Sequence, residues 1–228
     1  LRVAELGPVV RSGYGRPYVL LPHAVLRALL VAACEADEMV TVEYGRSAVA
    51  VEDLGDAALV TVDGGATYRA EALVGADGPA SRVRAHLGGG HALSSPYLLL
   101  RAAAPGPPDD FLRLWSDPSL HVAHAMTPDG GDVSVTVRVD ALDELDRDGV
   151  EAVVTRLLAS TAPEVRAATG EAVARADARV HRHHAPLHRW TRHRMTVVGC
   201  AAQPSLPHTA KSVSLELLDA AALGRAFD

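Results

Sequence analysis

Aromatic residues are scarce in this chain, 4% of 228 residues, and cysteine is scarcer, with only Cys34 and Cys200. Two cysteines so far apart build no disulfide framework, and the expected compartment is a reducing cytoplasm. Basic residues are not in excess. The 22 Lys and Arg stand against 28 Asp and Glu, a net charge of −6, which excludes the footprint of a nucleic-acid binder. No apolar run is long enough to cross a bilayer. No secretory leader opens the chain, although it begins at Leu1 rather than at a methionine. There is no internal repeat, no Gly-x-Gly-x-x-Gly fingerprint of a dinucleotide fold, and no Ser-His-Asp set with a nucleophile elbow. What remains is the composition of a soluble globular protein of one large domain or two small ones.

The most informative stretch runs from Val74 to Leu87. The apolar run Glu71-Ala72-Leu73-Val74 reads as a strand, Gly75-Ala76-Asp77-Gly78 as a turn, and Ser81 to Leu87 as the start of a helix. A carboxylate, flexible glycines and helix-start N–H groups then meet at one spot, suited to a polar or phosphate-bearing ligand. By itself an Asp-Gly turn is also an ordinary strand–helix connection stabilised by Asp77. The whole string, carried by Gly75, Ala76, Asp77, Gly78, Ser81, Val83 and Arg84, resembles the second motif of the FAD-dependent aromatic hydroxylases, the group A flavoprotein monooxygenases. The resemblance implies that this stretch lies near the cofactor pyrophosphate.

Other segments extend it. Leu1 to Leu6 reads as a strand carrying Glu5, the kind of acid that holds a ribose in a dinucleotide fold, though an ordinary surface acid reads the same way. Ser12 to Pro17 reads as a loop. Pro22 to Cys34 reads as a helix with Leu26, Leu29, Leu30 and Ala33 on a buried face. The resemblance implies a cofactor-holding Arg at its start, where this chain has His23. Met39–Val51 and Ala57–Tyr68 alternate as strands, and Gly88-Gly89-Gly90 closes the motif helix.

From Ser94 to His193 the pattern is that of an antiparallel sheet followed by two helices, with Val133–Val139 in strict alternation. Met195–Val198 is another buried strand. It runs into Gly199-Cys200-Ala201-Ala202-Gln203, then Pro207, then a helix from Val213 to Phe227 containing Asp219-Ala220. This resembles the family's third motif. The resemblance carries over Gly199, Ala201, Ala202, Pro207, Asp219, Ala220 and Leu223 as scaffold. It also implies an aspartate on the ribityl chain and two glycines against the flavin ring, where this chain has Cys200, Ala210 and Ser212. A neutral thiol is a weak partner, and a Cβ forbids the close approach that glycine allows.

The fold expected is therefore α/β: a partial FAD/NAD(P)-binding Rossmann-like domain over 1–93 and 194–228, with an inserted mixed-sheet (α+β) substrate domain over 94–193. His121, His124, Arg101 and Arg113 are candidate acid, base or carbonyl-polarising groups on the substrate-domain strands, or simply exposed strand residues. Cys200 at a strand–helix turn is either a reactive thiol or a small buried filler. The His/Arg-rich run from Arg179 to His184 lacks a metal-ligand spacing, so no metal is expected. The altered flavin positions lead to the expectation of a flavin-independent tailoring protein, with no cofactor, that cyclises or isomerises a small, largely apolar, polyketide-like substrate. The alternatives are an FAD- and NAD(P)H-dependent aromatic monooxygenase and a non-catalytic pathway partner. A homo-oligomer is compatible with all three.

Overall fold

A computed structural model describes residues 6–90, 93–104, 106–109, 111–128, 130–139, 147–174, 177–204 and 212–227. In chain order the elements are helices α1 (Leu6–Tyr14) and α2 (His23–Glu35), then strands β1 (Ala48–Asp53), β2 (Ala58–Val62), β3 (Thr67–Ala70) and β4 (Leu73–Gly75). Helix α3 (Arg82–His86) and strands β5 (Leu93–Ala104), β6 (Leu112–Ser116), β7 (Leu120–Thr127) and β8 (Gly130–Arg138) follow. The chain continues through α4 (Arg147–Ala159), α5 (Pro163–Ala174), β9 (Asp177–His183), β10 (Thr191–Arg192), β11 (Met195–Val197) and α6 (Ser212–Phe227).

Three sheets form. One is an antiparallel meander, β1-β2-β3. In the second, β11 lies parallel to β4 and pairs Val197 with Gly75. Two strands 120 residues apart in sequence are thereby laid side by side, so the two turns that follow them emerge together. The third sheet has the order β6-β7-β8-β5-β9. Its register sets two faces. Leu100, Val135, Val122 and Trp115 form one cross-strand row, and Arg101, Ser134, Ala123 and Leu114 the next. The first row belongs to a core with Leu98, Val133 and Val137, closed by Val154 and Leu158 of α4 and Val165 of α5. On the second face Arg101 and Leu114 are exposed, while Thr136, paired with Leu99 and His121, is buried.

Three expectations fail here. Leu6–Tyr14 is a helix, not the end of a strand followed by a loop. Gly7-Pro8 reads as a breaker, but proline is tolerated in a first helical turn, where its missing N–H has no partner to lose. Gly15, with φ +66, ends the helix as its N–H bonds to the Arg11 carbonyl. Residues 39–47 alternate but form no strand, because pairing with β2 begins only at Ala48. Helix α2 forms as read, yet none of its residues is buried: Leu29 is 61% and Leu30 48% exposed, with no described segment lying over them. Among the described residues no helix is long and apolar enough to cross a membrane.

Candidate functional site

Two short turns at the C-terminal ends of the parallel pair β4 and β11 build the site. The first is the 3₁₀ turn Gly78–Ala80. Asp77 precedes it, and its Oδ2 accepts the backbone N–H groups of Arg82 at 2.8 Å and Val83 at 3.5 Å. The Ser81 hydroxyl accepts the Arg84 N–H at 2.8 Å, an N-cap on α3. Asp77 and Ser81 thus fix the exit from β4. Gly75 is required by packing, since a Cβ there would lie 2.5 Å from Val83 Cβ and 3.1 Å from Val197 Cγ1. Gly78 is required by backbone shape, with φ +73, and its missing side chain leaves open space beside the turn.

The second turn is Gly199–Ala201. Gly199 has φ +58. Two carboxyl groups from one face of α6, three residues apart, reach it. Asp219 Oδ2 accepts the Gly199 N–H at 2.9 Å, and Glu216 Oε1 accepts the Cys200 thiol at 2.8 Å. Burial, then the bond and charge of Glu216, push the Cys200 thiol up to about 12. Its position at a helix-flanking turn does not lower it, so Cys200 is a neutral donor and not a reactive thiolate.

Arg84 joins the two turns. The residue is 1% exposed, and burial alone lowers its pKa from the usual value. It donates to the carbonyls of Ala201 at 3.2 Å, Ala202 at 2.7 Å and Ala185 at 2.5 Å. His184 contacts the Pro79 carbonyl. The segment leaving β9 therefore seats against the first turn, which places the β9–β5 side of the large sheet next to the paired turns.

The sequence candidates separate as follows. Gly75, Asp77, Gly78, Gly199 and Cys200 converge on the paired turns. Ser212 opens α6, the helix that carries Glu216 and Asp219. His23 is exposed at the first residue of α2. Glu5, Pro207 and Ala210 lie outside the described residues, as do the side chains from Arg179 to Arg182. The four substrate-domain candidates do not form one constellation. His121 and His124 are three apart on β7, so they point to opposite faces. Arg113 pairs with His124 in register, on the helix-covered side. Arg101 falls in the row with Ser134 and Ala123, on the opposite face with His121, and its guanidinium pairs with Asp132 at 3.0 Å.

His124 and Arg113 line an open cleft of about 1960 Å³ with Tyr18, Phe111, Trp115 and Val165. Arg113 is held by Asp109 at 2.7 Å. The cleft sits at the β6 edge, three strand spacings from β5, or roughly 14 Å. His124 Nδ1 is buried and has no hydrogen-bond partner among the described residues. Burial, then the Arg113 cation, lowers its pKa below 6.5, against smaller opposing effects of Asp109 and Asp132. A histidine whose native pKa is depressed takes up its proton more readily unfolded. It therefore costs no stability above about pH 6.5 and destabilises progressively as pH falls through that value. His124→Leu should lose this acid-side component, seen as a flatter dependence of the thermal midpoint on pH below about 6.5. An unchanged slope would place the acid sensitivity elsewhere.

The sequence reading missed two residues, Glu216 and the clamping role of Arg84. The i, i+3 spacing of Glu216 and Asp219 on α6 is a signal for the first. Arg84 stood within the motif, but its three acceptors are distant in sequence.

The match to a family described as an FAD binding domain covers residues 3–227. Among curated relatives, 3-hydroxybenzoate 6-hydroxylase of Klebsiella oxytoca is 27% identical over 98% of this chain and 58% of its own length. 6-Hydroxynicotinate 3-monooxygenase of Pseudomonas fluorescens is 30% identical over 96% of this chain and 60% of its own length. Among solved structures, Klebsiella pneumoniae HpxO complexed with FAD and uric acid superposes with a TM-score of 0.80 at 20% identity, covering 97% of this chain and 58% of that one. The chain thus spans a little under two thirds of the relatives it matches. These relatives overturn the expectation of a flavin-independent cyclase or isomerase without a cofactor, and natural-product tailoring finds no support among them. The altered positions His23, Cys200, Ala210 and Ser212 carried that expectation, but the Gly199–Ala201 turn, which contains Cys200, is held by the carboxyl groups of Asp219 and Glu216. From the paired turns to the match over 3–227, the chain belongs to the FAD-binding domain family of the FAD-dependent aromatic hydroxylases.

Proposed function

We propose that this protein is an FAD-dependent monooxygenase that uses NAD(P)H and O₂ to hydroxylate a small, largely apolar aromatic compound. The observation that carries the proposal is the pair of positive-φ glycine turns, Gly78 and Gly199, set side by side by β4 and β11 and fixed by Arg84. The fit to a flavin dinucleotide is physical. The first turn is open where Gly78 lacks a side chain, and the second is backed by the carboxyl groups of Asp219 and Glu216. Gly75, Asp77 and Gly78 would hold the pyrophosphate side, and the Gly199–Ala201 turn the ribityl side. Bound FAD would supply hydride acceptance from NAD(P)H and oxygen activation.

The substrate would lie on the second face of the large sheet, where Arg101 is exposed, in the domain expected over 94–193. Ala103, Ala123, Ala125 and Ser134 fall on that face by register, and such small side chains leave room for a planar ring. Arg101 stands on β5, next to the strand that leads to the paired turns. Arg101, held by Asp132, and His121 are the polar groups there that would orient a ring hydroxyl or carboxylate. The test is NAD(P)H oxidation by the complete protein with a panel of hydroxybenzoates and hydroxynicotinates. The expected result is oxidation stimulated by at least one ring compound, with a product heavier by one oxygen atom. Oxidation that no ring compound stimulates would count against the proposal.

A further inference from the structure

Position 200 is where the resemblance implies an aspartate for the ribityl chain, and the residue there is a thiol. Its surroundings show what replaces it. The thiol proton points to Glu216 Oε1 at 2.8 Å, so Cys200 acts as a donor that orients a carboxyl group. The Glu216 side chain lies over the same turn: a Cβ built on Gly199 would stand 2.8 Å from its Cγ and 3.6 Å from its carboxyl carbon. Glu216 sits one helical turn before Asp219, whose Oδ2 already anchors the Gly199 N–H. No cation pairs with Glu216 among the described residues. A carboxylate has about four acceptor sites, and the thiol occupies one.

We infer that Glu216 is the acceptor for the ribityl hydroxyls of FAD in this protein, the carboxylate having moved from the turn at position 200 to helix α6, with the Cys200 thiol aiming it. This rests on the FAD reading above. The longer glutamate side chain, starting from the helix, reaches the turn that a short aspartate would occupy directly. The Gly199 hydrogen at Cα is what makes room for its stem, so the turn glycine and the glutamate belong to one arrangement.

The test is FAD affinity of the complete protein, read by quenching of flavin fluorescence, for wild type, Glu216→Ala, Cys200→Asp and the double variant. Loss of a charge-assisted acceptor predicts that Glu216→Ala weakens FAD binding about tenfold or more. Cys200→Asp alone sets two carboxylates against each other and also weakens binding. The double variant, with one carboxylate restored at the turn, recovers to within about threefold of wild type. Thermal unfolding without FAD checks that each variant is folded. Glu216→Ala within about twofold of wild type, or a double variant no better than Glu216→Ala, overturns this inference while leaving the FAD reading intact. A wild-type protein that takes up no FAD overturns both.

Discussion

Arg84→Met lowers the stability of the protein by about 3 kcal/mol or more, equivalent to a fall of roughly 6–12 °C in thermal midpoint for a chain of this size. The size follows from what the guanidinium satisfies. The residue is buried at 1% exposure and donates to three backbone carbonyls, those of Ala185, Ala201 and Ala202. A methionine keeps the apolar stem but leaves those acceptors without a donor, and each buried orphan costs its desolvation. Lysine does not substitute, because its single ammonium cannot span a planar fork of acceptors. Arg84→Lys is therefore expected to fall well short of wild type. The same variants should weaken FAD uptake, because Arg84 sets the spacing of the two turns. A midpoint within about 2 °C of wild type for Arg84→Met would mean that water replaces the clamp and that packing alone fixes the turns.

Gly75→Ala is the second large effect, about 1–3 kcal/mol from a single added carbon. The new Cβ meets Val83 Cβ at 2.5 Å, and a Cβ is not the mobile end of a side chain. Either α3 lifts from β4 or the β4–β11 pairing opens, and both move Asp77 and Arg84. Trimming Val83 to alanine does not relieve the contact, since alanine keeps the clashing atom. Gly75→Ala with Val83→Gly does relieve it, but loses the buried Val83 side chain in addition to about 1 kcal/mol for a glycine inside a helix. Thermal unfolding of the three variants separates the cases. A stable Gly75→Ala would show that the spacing of strand and helix is not tight.

The second motif was legible because its structure is local. A strand, an Asp-Gly turn and a capping Ser81 lie within a dozen residues, and Asp77 and Ser81 accept backbone N–H groups three to six residues away. The role of Arg84 was not legible for the opposite reason: its acceptors are 101, 117 and 118 residues distant. The error over flavin has the same origin. Cys200 was weighed with His23, Ala210 and Ser212 as lost flavin contacts, and without its partner Glu216, which stands 16 residues on. Residues 39–47 alternate as a strand does, but a strand needs a neighbour to pair with, and alternation carries no information about that neighbour. In one respect the sequence held more than was taken from it. His121 and His124 differ by three, an odd number, so a period of two already assigns them to opposite faces. Placing Arg101 with His121 needed the register across β5, β8 and β7, which only the structure supplies.

The central claim is that the paired turns still hold FAD despite the thiol at position 200. The most direct test is the absorbance spectrum of the complete protein after incubation with FAD and removal of free cofactor. The account predicts a yellow protein carrying about one FAD per chain. A colourless protein, folded by circular dichroism yet retaining no flavin, would contradict it.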